Sequence, residues 1–330
     1  MQAFRLEITK NSPLTICLYD RTGQALAFRS LLPIGAGLGS SAAYSSCVAS
    51  ALIYTHGHLI APAGGASIPP TDASLINSWA FLAEKVLHGN PSGVDNSVSV
   101  HGGALAFTRA HTRNGLLQNE MQGLRGFESV RFLLTDTKVG RDTKKLVAKV
   151  GKQLEEEPER VNKRLAEIQA ISDEASKILG GKVQVTRAEL IKTLNSLIEE
   201  NHGHLVDLQV SHASLEAIRS TTAGKPWQLS TKLTGAGGGG CAVTLLPDEL
   251  KREDLDALIK AFEQQGFACY ETTVGGPGVG LMVKGDETKA SQEAAGESEY
   301  VPERDMFVHS DGDTLAQWAE SQGKNAWAFA

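Results

Sequence analysis

The chain has 330 residues, of which 41% are hydrophobic and 21% charged, and it carries a net charge of −6 at pH 7. This composition is typical of a globular protein with room for two hydrophobic cores, and the absence of a broad basic surface argues against nucleic acid or anionic membranes as partners. The sequence contains no secretory leader or membrane-length apolar run, and its four cysteines lack CxxC spacing, so we expect a cytosolic (cytoplasmic) protein with reduced thiols.

A glycine-rich segment at residues 33–43, PIGAGLGSSAA, lies between a predicted strand at 25–29 and a predicted helix at 40–54. Its glycines let successive backbone N–H groups turn toward one point, where the helix N-terminus favours an anion. We expect one hydroxyl of Ser40 and Ser41 to cap the helix and the other to reach a phosphate-bound Mg²⁺. The segment has neither GxxxxGK[ST] nor GxGxxG order, and a plain turn before a capped helix is the alternative.

A Pro/Gly/Ala-rich segment at residues 59–70 is predicted to be a surface loop that leads into the next helix. We expect Thr71 or Asp72 to be the N-cap of that helix, and His88 to be its last residue, with Gly89 just beyond. Apolar residues recur along it at helical spacing; they are Leu75, Trp79, Leu82 and Val86.

The segment at residues 88–96, HGNPSGVDN, allows two interpretations. Ser92 and Asp95 have the spacing of a capping box, which would account for both without any chemistry. Alternatively, Asp95 is a catalytic carboxylate at a helix start. It would then face a nucleotide whose metal is bound by Ser41 and by Glu84, which lies off the apolar line of the preceding helix.

The second half of the chain is predicted to combine helices and strands with two further glycine clusters. Strands are expected at residues 130–135 and 241–246, and charged or amphipathic helices at 144–179 and 190–218. The cluster TGAGGGGC at 234–241 enters a strand rather than a helix, which argues against a dinucleotide site. Two explanations of this cluster remain: its backbone lies close to a ligand, or it is a loop packed tightly between a helix and a strand. The same explanations apply to the third cluster, GGPGVG at 275–280.

Two other kinds of site are disfavoured by the sequence. The histidines at 56 and 58, and those at 202 and 204 with His212, lack the cysteine or HExxH context of a zinc site. Ser41 does not lie in a GxSxG nucleophile elbow, which argues against a hydrolase.

Four segments together resemble the mevalonate kinase family of the GHMP kinase superfamily: PIGAGLGSSAA, WAFLAEKVLHGNPSGVDN, TDTKVGRDTKKLV and KLTGAGGGGCAVTLL. The resemblance runs in the family's order from about residue 26 to 282 and closes with TTVGGPGVGLM. It implies an α/β (α+β) two-domain fold. We expect an ATP-binding part like ribosomal protein S5 domain 2 at 1–128, a ferredoxin-like part at 129–284, and a polar tail at 285–330 of disorder-prone composition, with a short helix at 311–327.

The resemblance also implies an activity: transfer of the γ-phosphate of ATP, with Mg²⁺, to the 5-hydroxyl of mevalonate in isoprenoid and sterol biosynthesis. Asp95 would accept the hydroxyl proton, Ser41 and Glu84 would bind Mg²⁺, and Thr143 would support the site. A homodimer is a candidate assembly. The residues implied to bind ATP are Pro33, Gly35, Ala36, Gly37, Leu38, Gly39, Ser40 and Ser41, with Gly235, Ala236, Gly237 and Gly238.

One part of the family pattern is not matched. In the family, an N-terminal motif of the type KxxLxGEHxxVxG supplies a lysine beside the catalytic aspartate. The 32 residues before Pro33 contain no such motif, and Lys138 and Lys144 are substitutes by charge alone. We therefore expect either a start placed downstream of the motif or a protein that has lost part of its pocket. A catalytically inactive family member that binds a ligand is the rival hypothesis.

Overall fold

The structure is a computed structural model. It describes residues 5–8, 16–19, 25–28, 38–60, 62, 66–89, 91–111, 117–124, 130–140, 142–282 and 327–330. These residues fall into two compact units. Unit 1 comprises the described residues of 1–34, 38–102 and 277–330, and unit 2 comprises those of 103–276. The domain boundaries expected at residues 128 and 284 stay a prediction.

Groups of strands and groups of helices follow one another along the described residues. The strands are β1 (Arg5–Ile8), β2 (Ile16–Tyr19), β3 (Ala25–Phe28), β4 (Ala104–His111), β5 (Leu117–Leu124), β6 (Val130–Asp136), β7 (Thr231–Leu233), β8 (Cys241–Leu246), β9 (Ala268–Val274), β10 (Gly280–Met282) and β11 (Trp327–Phe329). The helices are α1 (Ser40–Thr55), α2 (Pro70–His88), α3 (Val94–His101), α4 (Thr143–Glu156), α5 (Pro158–Leu179), α6 (Arg187–Asp207), α7 (Ala213–Ala223) and α8 (Arg252–Gln264). No helix in these described parts of the chain is long and apolar enough to cross a membrane.

In unit 1, the core lies where α1, α2 and α3 pack against one another, while β1, β2 and β3 form an antiparallel sheet. Helix α2 ends at His88 with Gly89 beyond it, as predicted. Its start differs, because Pro69 rather than Thr71 or Asp72 takes the N-cap position and Pro70 begins the helix. Proline suits this place, since its fixed φ is already helical and its missing N–H would have no intrahelical partner.

The apolar line predicted on α2 is not its buried face. Trp79, Leu82 and Val86 are 55%, 52% and 80% exposed. The buried residues of the helix are Ala73, Ile76, Ala80 and Glu84. The small alanines allow α2 to approach its neighbours, and of the predicted line Leu75 alone packs, partly buried, against the core.

The end of the chain belongs to unit 1. Strand β11 pairs antiparallel with β10, and the backbone N–H of Ile68 donates to the carbonyl of Phe329 at 2.7 Å. At its two described ends the segment predicted as a surface loop at 59–70 is anchored, since Leu59 and Ile68 are each 3% exposed. The predicted polar tail and its short helix lie outside the described residues, apart from the last four, which form β11 and its continuation.

Close backbone approach occurs at the third glycine cluster. A Cβ at Gly278 would lie 2.0 Å from the carbonyl oxygen of Val100, at the end of α3. The next residue, Val279, donates its N–H to that same oxygen at 3.0 Å. Glycine is needed at 278 because any side chain would separate this segment from α3.

Unit 2 is built on a four-stranded antiparallel sheet with the order β7-β8-β6-β9. The strands predicted at 130–135 and 241–246 are confirmed as β6 and β8. Four helices connect β6 to β7, and α8 connects β8 to β9. Fully buried side chains from the sheet and α8 fill the core, among them Leu133, Leu246 and Phe262.

The helix predicted at 190–218 is two helices. α6 ends at Asp207, and α7 begins at Ala213 after His212, whose Nδ1 accepts the N–H of Ser214. Between them, Gln209 takes a left-handed φ of 57°. The sequence hid this break because no proline or glycine marks it, and both helices pack on β7.

His202 of α6 is 2% exposed and joins three elements of unit 2. Its Nδ1 accepts the N–H of Leu233 at 3.3 Å, and its Nε2 lies 3.1 Å from Oε1 of Glu216. A neutral ring with its hydrogen on Nε2 satisfies both bonds. Burial lowers the pKa of His202, and the nearby carboxylate of Glu216 only partly opposes that shift.

We expect the free energy of unfolding to fall as the pH is lowered from about 7 to about 5. The unfolded chain takes up a proton on His202 that the folded chain resists, so this contribution is fully present above the unfolded pKa and lost below it. Urea unfolding at several pH values should show a weaker dependence in His202→Asn, which does not titrate. The exposed His58→Asn should keep the wild-type dependence; the same flattening in both variants would contradict the assignment.

Candidate active site

The first turn of α1 has no side-chain cap among the described residues. Gly39 precedes the helix with a left-handed φ of 75°, and the described residues provide neither a side-chain cap nor an acidic residue in the first turn. The predicted serine cap is therefore wrong, since Ser40 and Ser41 are already helical. Such a helix start attracts anions because its dipole and its free N–H groups point outward.

Only part of the predicted phosphate loop can be placed. Leu38 and Gly39 lead directly into α1. The other predicted loop residues, Pro33, Gly35, Ala36 and Gly37, lie outside the described residues. Their role in binding ATP stays a prediction.

Ser41 and Glu84 meet across α1 and α2. The Ser41 hydroxyl donates to Oε2 of Glu84 at 3.2 Å. Glu84 is only 4% exposed, and a buried carboxylate is costly unless hydrogen-bond donors or a cation stabilise it. These two residues, assigned to a metal site from 43 positions apart in sequence, are thus brought into direct contact.

Two further side chains lie against this carboxylate, and the sequence analysis missed both. Ser45, one turn after Ser41, donates to Oε1 of Glu84 at 2.9 Å. His88, one turn after Glu84, places Nε2 3.3 Å from Oγ of Ser41 and 3.7 Å from Oε2 of Glu84. The spacing of four residues on each helix was the available signal, because such residues share a helix face.

The two metal candidates fit Mg²⁺ chemically. Magnesium takes hard oxygen ligands at about 2.1 Å in octahedral geometry, so adjacent ligands lie about 3 Å apart. Oγ of Ser41 and Oε2 of Glu84 are 3.2 Å apart. The described residues contain no group of three or more His, Cys, Asp or Glu able to hold a metal. Phosphate oxygens and water would therefore supply the remaining ligands, as is usual for Mg²⁺.

Asp95 is exposed in the first turn of α3. The N-cap of this helix is Gly93, with φ of 83°, and no side chain makes a cap hydrogen bond there. Ser92 instead accepts the N–H of Val94 at 3.3 Å. The capping-box interpretation of Ser92 and Asp95 is therefore wrong, and a favourable charge at the helix start is the remaining structural role.

The residue after Asp95 attaches α3 to α2. Asn96 is 2% exposed and donates its side-chain amide to Oδ1 of Asn77 at 2.6 Å. Asn77 in turn donates to the hydroxyl of Ser97 at 3.3 Å. Since Asn77 lies seven residues before Glu84, one face of α2 carries both the metal candidate and the anchor of α3.

The second glycine cluster lies in unit 2 and turns through left-handed conformations. Gly235, Gly237 and Gly238 have φ values of 66°, 79° and 71°. A Cβ at Gly237 would lie 2.0 Å from the carbonyl oxygen of Val210, and the N–H of Gly238 donates to that oxygen at 2.8 Å. Tight packing against the protein is thus found here. ATP binding by these residues and Ala236 stays a prediction.

A neighbouring segment of unit 2 holds this cluster in place. The hydroxyl and N–H of Thr137 both donate to the carbonyl of Gly240, at 2.7 and 2.9 Å. Thr143 is exposed at the first position of α4, where Asp142 caps the helix by accepting the N–H of Lys145. Thr137, which the sequence analysis did not select, is therefore the threonine that contacts the glycine cluster, through its two hydrogen bonds to Gly240. The supporting role expected of Thr143 stays a prediction.

Comparison with known proteins identifies the family. Residues 8–103 match the family model for the GHMP kinases N terminal domain. Mouse (Mus musculus) mevalonate kinase is 45% identical over 272 residues, which cover 81% of this chain and 66% of the mouse protein. The chain belongs to the mevalonate kinase branch of the GHMP kinase family. Human mevalonate kinase gives the same picture, with 42% identity over 274 residues and coverages of 81% and 66%.

The family resemblance drawn from the glycine motifs is confirmed. The chain spans 66% of the length of these mammalian mevalonate kinases. A crystal structure of L. major mevalonate kinase in complex with R-mevalonate matches with a TM-score of 0.61 and 23% identity, covering 79% of this chain and 73% of that one. At that identity the match shows the fold alone, which is a GHMP kinase-like α/β fold.

Proposed function

We propose that this chain transfers the γ-phosphate of ATP to the 5-hydroxyl of mevalonate, giving 5-phosphomevalonate for isoprenoid and sterol biosynthesis. The observation that carries the proposal is the buried carboxylate of Glu84, held against Ser41 at the uncapped start of α1. The 45% identity to mouse mevalonate kinase supports the proposed activity.

The start of α1 would bind the phosphates of ATP, together with the loop residues before it. Ser41 and Glu84 would hold Mg²⁺, which when bound offsets negative charge on the phosphates. Phosphoryl transfer builds up negative charge in its transition state, so positioned N–H groups contribute by electrostatic stabilisation. The first turn of α1 contains no acidic residue of its own, and the cation would partly offset the negative charge of Glu84, which contacts this turn from α2.

Asp95 would accept the proton of the mevalonate hydroxyl. Its side chain is exposed and makes no cap hydrogen bond, so it is available to a substrate. The bond from Asn96 to Asn77 would keep it in a constant position at the start of α3. General-base assistance of this kind contributes about 10²- to 10⁴-fold in rate.

We further propose the finer fold assignment, with a ribosomal protein S5 domain 2-like part and a ferredoxin-like part. The family match over 8–103 supports the first. The sheet order β7-β8-β6-β9, with helices between β6 and β7 and between β8 and β9, supports the second, since a ferredoxin-like unit is a β-α-β-β-α-β arrangement. The homodimer and the cytoplasmic location stay predictions.

The test is ADP release by the purified 330-residue chain with MgATP and one of four acceptors: mevalonate, homoserine, galactose or phosphomevalonate. Turnover with mevalonate alone is the expected result. ATP binding without turnover on any acceptor would overturn the proposal in favour of the inactive, ligand-binding family member.

A further inference from the structure

We propose that Ser45 is a positioning residue of the metal site: its hydroxyl holds the Glu84 carboxylate so that Oε2 faces Ser41 and the cation. This inference rests on the proposed function, since the cation is the one bound with ATP. It concerns a residue that neither the glycine motif nor the predicted ligand set includes.

The two oxygens of Glu84 have different surroundings. Oε1 accepts the hydroxyl of Ser45 at 2.9 Å. Oε2 accepts the hydroxyl of Ser41 at 3.2 Å and lies 3.7 Å from Nε2 of His88. One oxygen is thus tied to the interior of the helix pair, while the other points to the residue at the start of α1. Without the Ser45 donor, only the contacts at Oε2 would orient the carboxylate.

Ser45 departs from what its neighbours on α1 do. Ser46 and Ser50 are also buried, and each donates its hydroxyl to the carbonyl four residues earlier, both at 2.8 Å. That backbone bond is the usual choice of a serine inside a helix. Ser45 instead reaches across to α2, so its hydrogen bond is a tertiary one. At 2% exposure it acts through Glu84 rather than as a ligand of its own.

The chemistry of magnesium makes this orientation consequential. Mg²⁺ requires near-ideal octahedral geometry. A carboxylate with several orientations loses conformational entropy when it binds the ion, and this loss lowers the affinity for Mg²⁺. Groups that hydrogen-bond to metal ligands typically contribute 10- to 100-fold to metal affinity. Removing the Ser45 hydroxyl also leaves a buried carboxylate oxygen without its donor.

The test compares the affinity for ATP in EDTA with that in excess Mg²⁺, measured by calorimetry on the full chain. We expect Ser45→Ala to reduce the Mg²⁺-dependent gain in ATP affinity by about 10-fold and to leave the metal-free affinity unchanged. Ser46→Ala is the matched control: it removes an equally buried hydroxyl one residue away, and should keep the full gain. Ser45→Thr, which restores a hydroxyl, should recover most of it.

Three outcomes decide between the proposals. A full Mg²⁺-dependent gain in Ser45→Ala overturns the positioning role and leaves the proposed function standing. An equal loss in Ser45→Ala and Ser46→Ala also overturns it, because the loss would then follow from helix packing. Failure of the wild-type chain to gain ATP affinity with Mg²⁺ overturns both proposals. If Ser45→Ala does not fold, Ser45→Cys replaces it as a variant with a weaker donor: a reduced Mg²⁺-dependent gain supports the positioning role, and a full gain overturns it.

Discussion

Replacing Asp95 by Asn is expected to lower mevalonate-dependent ADP release by about 10²- to 10⁴-fold while ATP affinity changes little. The substitution preserves shape but removes the negative charge and the ability to accept a proton. Asp95 is exposed and makes no cap hydrogen bond, so α3 should remain intact. Steady-state kcat and calorimetric ATP binding on the same preparations measure the two effects separately.

The matched control is Asp72→Asn, which removes the same charge from the first turn of α2 in the same unit. Its kcat should stay near the wild-type value, because Asp72 has no assigned chemical role. If Asp95→Asn turns over at nearly the wild-type rate, Asp95 is not the base. If both variants lose activity equally, a general electrostatic effect at helix starts explains the loss.

Replacing Gly237 by Ala is expected to lower the free energy of unfolding by about 2–5 kcal/mol. The added Cβ would lie 2.0 Å from the carbonyl oxygen of Val210, a distance that no neighbouring side-chain rotation can relieve. A left-handed φ of 79° adds a second cost for any residue with a Cβ. Urea unfolding of wild type and variant measures the loss.

Gly266→Ala separates the two costs. Gly266 has a similar φ of 85°, but nothing lies within 4 Å of an added Cβ. This variant should lose only the backbone contribution, about 1–2 kcal/mol. Equal losses in the two variants would show that the packing against Val210 contributes nothing. The comparison also matters for function, because a Gly237 variant can lose ATP binding through unfolding alone.

The metal site shows how far sequence reasoning reached. Ser41 and Glu84 were selected through a family resemblance, and they do lie in contact. Ser45, which donates to the same carboxylate, and His88, which lies 3.7 Å from it, were missed. Their four-residue spacing from Ser41 and Glu84 was the available signal, but using it required knowing that those faces of α1 and α2 meet.

The capping prediction for α3 failed for a related reason. Ser92 and Asp95 have capping-box spacing, but Gly93 takes the N-cap position in a left-handed conformation. Spacing alone cannot show where a helix begins, because the start depends on how the preceding turn packs. The start of α2 differed from the prediction in the same way: the helix begins at Pro70, with Pro69 rather than Thr71 or Asp72 at the N-cap position.

The sequence by itself determined the features that depend on local backbone chemistry. The α1 helix after its glycine turn, the stop of α2 at Gly89 and the strand at 241–246 all follow from residues close in the chain. Only the tertiary structure decided which face of α2 is buried, where α6 breaks from α7, and which serine of α1 holds Glu84. Those outcomes depend on side-chain size and hydrogen-bond reach between elements far apart in sequence, for which local periodicity carries no information.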